Sequence, residues 1–281
     1  MPVIAMSREM GSLGKDVAYG LEEVFNIRVK HHEIVDDVAN RARLRKTHVI
    51  SYLQGKLGFL DRLTIDRAAI AIHSADEILT LAAESAPGIV LRGWGATALL
   101  RGIPHVVCVR VCAPIDLRIE RMMQRLDCAE RDRVATEIAL SDEAHDAIMQ
   151  RNFAVAATDA THYDVVLNTE RMSVSECVDA VVHAVKSPDF AETEASRALL
   201  SNSALEARCR AALRRDDLTR DCRPAIVARD GRVTLSGVVG TDFQAQGCEA
   251  LVTAVPGVVS VENSLKSMDA AGIKHGRSWQ A

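Results

Sequence analysis

The feature that most constrains the fold is an alternation, over the first two thirds of the chain, of short apolar runs with longer stretches of helical periodicity. The runs predicted as strands are Pro2–Met6, Ile27–Lys30, Gly88–Leu91, His105–Cys112 and Tyr163–Leu167. Helices are predicted at Lys15–Val24 and Val174–Val185, and residues 33–85 are helix-like. Strands that alternate with helices of this length need right-handed crossovers, which produce a parallel sheet. We therefore predict an α/β domain with a parallel five-stranded sheet flanked by helices.

The pattern changes beyond the predicted end of this first domain, at residue 187. Residues 188–202 are polar and predict a linker. The elements predicted next are a helix at Ala204–Leu213, strands at Ala225–Ala228 and Arg232–Leu235, a helix at Phe243–Thr253 and a strand at Val258–Leu265. Asp230-Gly231 predicts a type I′ hairpin between the first two strands, because that turn needs positive φ at both central residues. We therefore predict a small α+β domain at residues 203–268, followed by a flexible tail at 269–281.

Composition and charge exclude several classes of protein. With 48% hydrophobic and 26% charged residues, the chain is not mainly disordered, and no apolar run reaches the roughly 18 residues of a membrane-spanning helix. A net charge of −4 argues against nucleic-acid binding through bulk positive charge. The seven cysteines form no Cys-x-x-Cys pair, which argues against a zinc site or a redox motif. Because the first residues also lack a signal-peptide pattern, we expect a cytoplasmic protein with reduced thiols.

The segment Ser7–Ala18, between the first predicted strand and the first predicted helix, is rich in small residues and contains a lysine. A phosphate-binding loop needs small residues so that backbone amides converge on anionic oxygens, a helix N-terminus, and a lysine that reaches the outer phosphates. The predicted cofactor-binding residues are Gly11, Ser12, Leu13, Gly14, Lys15 and Asp16. An ordinary glycine-containing turn is the alternative explanation of this segment.

This segment departs twice from the pattern G-x-x-x-x-G-K-[ST]. Glu9 occupies the first glycine position, and Asp16 replaces the Ser or Thr that would hold Mg²⁺. The Asp16 carboxylate could itself coordinate magnesium, or it could be only a first-turn acid that the helix dipole favours.

Several arginines are placed to contact phosphates. Arg118, Arg121 and Arg125 share one face of a predicted helix, and its neighbouring apolar face is predicted to pack on the sheet. That apolar face consists of Ile115, Ile119, Met122 and Leu126. Arg92 ends the third predicted strand, where ligands bind in open parallel sheets. Phosphoryl transfer benefits from such donors, because charge accumulates on the transferred group. A solvated arginine-rich helix face is the alternative.

Five segments resemble the cytidylate kinase-like proteins, a branch of the P-loop nucleoside monophosphate kinases. They are Ser7–Ala18, Val90–Ala96, Val109–Pro114, Arg118–Arg121 and Tyr163–Thr169, the last followed by Met172-Ser173. The resemblance covers about residues 2–186, and the branch shares both departures from the general loop pattern. It implies a P-loop kinase-type sheet, ATP and Mg²⁺, and nucleotide substrates. One departure from the family is Lys30-His31-His32-Glu33, where the family often has Y-D-[KR]-E.

The C-terminal domain resembles a BON domain over about residues 203–268. Gly231–Val239 and Val255–Leu265 carry this resemblance. Such domains are thought to bind ligands or membrane lipids, but basic and acidic residues nearly balance here, so strong attraction to anionic lipid is not expected. We expect Gly237 and Gly257 to serve turns. The partner of this domain stays open, a protein or a lipid surface included.

We predict ATP-dependent phosphoryl transfer to a small acceptor, a pyrimidine nucleoside monophosphate such as CMP. The predicted catalytic residues are Lys15 of the phosphate-binding segment, Arg125 of the arginine-bearing helix, and Arg131 of the following stretch, which the resemblance identifies as a mobile lid. Arg121 is predicted to bind the cofactor and Asp16 the metal. Arg92 and Arg41 are predicted to bind the acceptor, Arg41 from the insert where such kinases recognise it. The alternative is a catalytically weak nucleotide-binding regulator whose BON-like domain binds a ligand or partner.

Overall fold

The computed structural model describes residues 2–30, 66–93 and 95–268 and divides the chain into two compact units between Arg197 and Ala198. Three groups of predictions lie outside the described residues: the insert with Arg41, the His31-His32 pair and the tail at 269–281. No helix in the described ranges combines the length and the apolar character needed to cross a bilayer.

The first unit contains a parallel five-stranded sheet, which confirms the predicted architecture. Its strands are β1 (Val3–Arg8), β2 (Arg28–Lys30), β3 (Ile89–Arg92), β4 (Val106–Cys112) and β5 (Val165–Asn168). They are arranged in the order β2-β3-β1-β4-β5, and each neighbouring pair is parallel. The helices are α1 (Gly14–Phe25), α2 (Arg67–Glu84), α3 (Ala96–Leu100), α4 (Ile115–Leu126), α5 (Arg131–Phe153) and α6 (Val174–Val185).

Successive side chains of the buried strand β1 point to opposite faces of the sheet, and apolar residues cover both faces. Ile4 and Met6 of β1 point to one face, where they form a core with residues of α1 and α6. Val3 and Ala5 point to the other face and are equally buried, while α2 and α3 pack against β3 and β1. Burial on both faces explains why these strands are continuous apolar runs.

The apolar face of α4 does not pack on the sheet, so that prediction was wrong. Ile119 and Met122 pack instead against Val134 and Ile138 of α5. Ile115 and Leu126, at the two ends of α4, are 46% and 50% exposed. The helical periodicity correctly identified the apolar face but could not identify its partner, because a second amphipathic helix covers that face.

The second unit contains a mixed three-stranded sheet in the order β6-β7-β8. Its strands are β6 (Ala225–Arg229), β7 (Arg232–Val239) and β8 (Ser260–Ser267). The first pair is antiparallel and the second is parallel. Helix α8 (Asp242–Thr253) contributes Cys248 and Val252 to a core with Ile226, Val233 and Leu235. This is the predicted small α+β domain.

Turn geometry in this unit agrees with the sequence in two places and differs in one. Asp230 and Gly231 have φ of 49° and 81°, as a type I′ hairpin turn requires. Gly257, with φ of 95°, serves a turn as predicted. Gly237 lies inside β7, paired with Leu265, so its positive φ of 120° distorts a strand.

The predicted linker at 188–202 is largely helical. After a short 3₁₀ turn at Pro188–Phe190, helix α7 runs over Glu194–Arg215 and contains the boundary between the two units. Thr193 and Ser196 cap its start reciprocally, each side-chain oxygen accepting from the other's amide. This capping pair explains how a polar stretch begins a helix. The exact domain limits stay a prediction.

Candidate functional site

The segment Glu9–Leu13 joins β1 to α1 at the carboxyl edge of the sheet, and we call it the loop. Gly11 and Leu13 have φ of 81° and 61°. A Cβ at Gly11 would lie 2.7 Å from the carbonyl oxygen of Arg118, and one at Gly14 would lie 2.7 Å from Cβ of Arg8. Neighbouring atoms therefore leave no room for a side chain at either position, and the positive φ of Gly11 also favours glycine there.

Three consecutive carbonyls of the loop are held by side chains. Arg118 Nη1 donates to the carbonyl oxygen of Met10 at 3.3 Å, and Arg121 Nη1 makes a longer contact of 3.5 Å with that of Gly11. Thr169 Oγ1 donates to the carbonyl oxygen of Ser12 at 2.9 Å. In a planar trans peptide the C=O and the following N–H point in opposite directions. Anchoring the carbonyls therefore turns the linked amides toward the other side of the loop.

The amides that follow in sequence lead into the first turn of α1. Among the described residues, no backbone carbonyl or side chain accepts a hydrogen bond from the amides of Gly11, Leu13, Gly14 or Lys15. Leu13 caps α1 without a side-chain hydrogen bond, so the helix N-terminus keeps its partial positive charge. The amide and the hydroxyl of Ser12 both donate to the carbonyl of Glu9, which ties Ser12 to the internal structure of the loop. The arrangement offers an anion several convergent donors.

The Glu9 carboxylate belongs to a group of ion pairs. Its Oε1 lies 2.7 Å from Arg110 Nη2, and its Oε2 lies 3.5 Å from Arg118 Nε. The amide of Ala113 donates to Glu9 Oε2 at 3.2 Å. The acidic residue at the first glycine position is therefore neutralised by buried arginines.

We call Arg110, Arg118 and Arg121 the paired arginines. Arg110 also donates to the carbonyl of Ala157 at 2.5 Å. Arg118 binds Asp142 of α5 through both terminal nitrogens, at 3.2 and 2.7 Å. Arg121 donates to the side chain and the carbonyl of Thr169. Each paired arginine thus has carboxylate, hydroxyl or carbonyl partners within the protein.

A second set, Arg8, Arg92 and Arg125, we call the clustered arginines. Burial, followed by the charges of Arg92 and Arg125, lowers the pKa of Arg8 to about 10. Burial also lowers the pKa of Arg92, Arg125 adds to that effect, and Tyr19 and Asp16 oppose it. Arg92 pairs in register with Met6, so it and Arg8 point to the same face of the sheet. Like charges are gathered here beside α1, a pattern typical of an anion-binding site.

Lys15 and Asp16 lie in the first turn of α1, next to this cluster. Lys15 Nζ lies 5.4 Å from the ring centroid of Tyr19, which is 47% exposed. Asp16 is exposed, and its charge acts on Arg92. The described residues include no group of three or more His, Cys, Asp or Glu side chains suited to a metal. A single carboxylate nevertheless fits Mg²⁺, which is usually held by one or two carboxylates together with substrate phosphates.

Some of the predicted site residues lie near one another, and others contact different parts of the protein. The loop residues, Lys15, Asp16 and Arg92 lie at the carboxyl edge of the sheet, and the charge of Arg125 acts on Arg92 there. Arg121 belongs to the scaffold of the loop through Thr169. Arg131 is exposed and forms an ion pair with Asp116 at 2.5 Å, near the start of α4.

Sequence reasoning missed Arg8, and it did not assign roles to Glu9 and Thr169. Arg8 could have been found from strand alternation, because it follows Met6 by two residues on the face that α1 covers. Thr169 directly follows β5, at the same edge as the loop. The partner of Glu9 could not be found, since Arg110 lies 101 residues away in sequence.

Comparisons with known proteins agree with this architecture. The model of the cytidylate kinase-like family matches residues 3–171, and that of the BON domain matches residues 201–267. An uncharacterized protein from Eubacterium ventriosum ATCC 27560 has a solved structure that is 21% identical, with a TM-score of 0.53. The match covers 66% of this chain and 99% of that one, and it supports the fold.

A shikimate kinase from Acinetobacter baumannii in complex with shikimate is 11% identical, with a TM-score of 0.40. That match covers 66% of this chain and 93% of the other. No curated protein matches the sequence. Because the first family model spans more than half of the sequence, the chain belongs to the cytidylate kinase-like family, and its C-terminal part is a BON domain.

Proposed function

We propose that the chain transfers the γ-phosphoryl group of ATP to the phosphate of a pyrimidine nucleoside monophosphate such as CMP. The observation that carries the proposal is the loop: its anchored Met10 and Ser12 carbonyls turn the linked amides of Gly11 and Leu13 to the other side, and the amides of Gly14 and Lys15 follow in the first turn of α1. Family membership supports the same assignment. In the reaction the bond between the γ-phosphorus and the β-bridging oxygen breaks, and an acceptor phosphate oxygen bonds to that phosphorus.

The loop and Lys15 would bind the β- and γ-phosphates. Backbone donors there stabilise developing charge without reorganising during the reaction. Lys15 supplies an ammonium group that can move from the ring of Tyr19 to a phosphate oxygen. Asp16 would hold Mg²⁺, which neutralises charge on the β- and γ-phosphates when it is bound.

The clustered arginines would orient the acceptor and neutralise the transferred group. Arg92 ends β3 at the carboxyl edge of the sheet, where ligands of such folds bind. Arg8 keeps a pKa of about 10, so it stays charged at neutral pH. An acceptor phosphate brings the counter-charge that these arginines favour. No general base is needed, because a phosphate oxygen is already a competent nucleophile.

A direct assay tests the proposal. Purified protein is mixed with ATP, Mg²⁺ and one monophosphate at a time (CMP, UMP, AMP or GMP), and diphosphate formation is measured. We expect CDP to form fastest. Lys15→Ala should reduce turnover about 100-fold or more, the size of one lost donor to a transferring group. Lys186→Ala, at the exposed end of α6, is the matched control and should leave turnover unchanged. Absence of diphosphate with every acceptor would reject the proposal.

One observation favours a second function, a nucleotide-responsive regulator. Arg121 and Arg131, both predicted to contact the nucleotide, are bound to Thr169 and Asp116. A chain with fewer arginines directed at the transferred group could bind ATP and turn it over poorly, with the BON domain reading its state. A rise in melting temperature with ATP and Mg²⁺, without diphosphate product, would support this alternative.

The cysteines support a proposal about the compartment. All seven are free thiols, of which four are buried. Free thiols in this number are typical of reducing compartments, so we propose that the reaction takes place in the cytoplasm.

A further inference from the structure

The loop is connected to α5 by a continuous series of charged contacts. Glu9, inside the loop, contacts Arg118 of α4, and Arg118 binds Asp142 of α5 through two parallel hydrogen bonds. The Arg118 side chain is only 6% exposed, whereas that of Asp142 is 37% exposed. Such bidentate pairs fix the plane of a guanidinium more strictly than a single contact does.

The orientation of Arg118 matters because the same side chain also holds the loop backbone. Its Nη1 donates both to Asp142 Oδ1 and to the carbonyl oxygen of Met10. The amide linked to that carbonyl belongs to Gly11, one of the convergent donors. A guanidinium released by Asp142 or by Glu9 could rotate, and the Met10–Gly11 peptide would then lose its anchor.

We propose that Glu9, Arg118 and Asp142 are positioning residues that fix the phosphate-binding conformation of the loop and couple it to α5. The inference rests on the proposed function, since it concerns the same loop. Glu9, the acidic residue at the first glycine position, thereby acquires a role. It holds Arg118 on the side of the loop where the Met10 carbonyl points, so that this cation binds a carbonyl and does not compete for phosphate. Arg110 shares the carboxylate and keeps it neutralised.

Asp142→Asn tests the coupling, because the side chain is partly exposed and lies on α5. The probe is the non-hydrolysable ATP analogue AMP-PNP with Mg²⁺, and its dissociation constant is measured by calorimetry. We expect Asp142→Asn to weaken binding about fivefold to tenfold, the size of one charged hydrogen bond. Glu143→Gln, an exposed neighbour on α5, should bind as the wild type does.

Glu9→Gln should weaken binding about tenfold or more, and the double variant Glu9→Gln/Asp142→Asn should lose less than the sum of the two effects. Non-additivity is expected because both residues act through Arg118. Wild-type affinity in Asp142→Asn, or full additivity in the double variant, would overturn the inference. If Glu9→Gln fails to fold, Asp142→Asn alone decides.

Hydrogen exchange separates this inference from the proposed function. The segment 9–17 contains amides of Ser12 and Asp16 that are hydrogen-bonded within the loop and the first turn of α1. In the nucleotide-free protein, Asp142→Asn should accelerate their exchange, and Glu143→Gln should not. If the wild type binds no AMP-PNP, the proposed function fails while faster exchange still supports the positioning role. Unchanged exchange in Asp142→Asn would reject that role.

Discussion

The paired and the clustered arginines surround one loop, yet they have opposite environments. Arg110 and Arg118 lie beside the carboxylates of Glu9 and Asp142 and donate to backbone carbonyls. Burial also lowers the pKa of Arg8 and Arg92, and at Arg8 the charges of Arg92 and Arg125 add to that effect. A neighbouring carboxylate offsets the cost of desolvating a cation, whereas neighbouring cations add to that cost.

This difference separates the arginines that stabilise the structure of the site from those that we expect to bind its ligand. A buried cation with its counter-charge holds the backbone in place, and its loss should appear as a loss of stability. Like charges held near one another cost stability, and such arrangements cluster at functional sites. Their loss should appear as a loss of affinity. The predictions below test this division, beginning with the largest effect.

Arg118→Met should lower the free energy of unfolding by about 3 kcal/mol, because Asp142 loses both hydrogen bonds from Arg118 and Glu9 keeps only Arg110 as a cationic partner. Urea unfolding followed by circular dichroism measures the change. Arg125→Met, an exposed position on the same helix, is the matched control and should cost less than about 0.5 kcal/mol. Equal losses in the two variants would remove the distinction between the paired and clustered arginines.

Gly11→Ala should destabilise the protein by about 2 kcal/mol, since the new Cβ would lie 2.7 Å from the Arg118 carbonyl oxygen at a φ of 81°. It should also weaken AMP-PNP binding, because the loop must shift away from Arg118. Gly102→Ala, where the Cβ meets no atom within 4 Å, controls for the loss of glycine flexibility. Melting curves in which both variants match the wild type would show that the loop tolerates a side chain there.

These contacts mark the limit of what the sequence could predict. Alternation of strands and helices located all five strands of the sheet, and the Asp230-Gly231 pair located a hairpin, because both signals are local. The site depends on pairs far apart in sequence, such as Ser12 with Thr169 at a separation of 157 residues. The helix periodicity placed Arg118 and Arg121 on the correct face, but only the fold shows that they hold carbonyls.

Arg8→Met should leave the free energy of unfolding unchanged or raise it by up to about 1 kcal/mol, because it removes a desolvated charge from a group of like charges. The affinity for CMP or AMP-PNP should fall about tenfold, as expected for the loss of one charged donor. Calorimetry and urea unfolding are measured on the same protein. A loss of stability above about 1 kcal/mol with unchanged affinity would place Arg8 among the paired arginines.

The smallest expected effect concerns His145 of α5, which lies near members of both arginine groups. Burial lowers the pKa of His145, and the charges of Arg110 and Arg8 lower it further, while Asp142 and Asp146 oppose this shift. A histidine whose pKa is lower in the native than in the unfolded protein does not reduce the free energy of unfolding above about pH 6.5, where it is neutral in both states. As the pH falls below that value, the unfolded chain takes up the proton first, so stability decreases.

His145→Gln should therefore reduce the loss of stability between pH 7 and pH 5. His105 has a pKa that burial lowers in the same way, so some pH dependence should persist in the variant. Urea unfolding at several pH values gives the slope. An unchanged slope in His145→Gln would mean that neither burial nor the arginines disfavour its protonation in the native protein.

The central claim is that amides of the loop and the ammonium group of Lys15 bind a polyphosphate. A crystal structure of the protein with AMP-PNP and Mg²⁺ tests it most directly. We predict phosphate oxygens within hydrogen-bonding distance of the amides of Leu13, Gly14 and Lys15, with the Met10 and Ser12 carbonyls still held by Arg118 and Thr169. A nucleotide bound elsewhere, or a loop whose amides point away from its phosphates, would contradict the account.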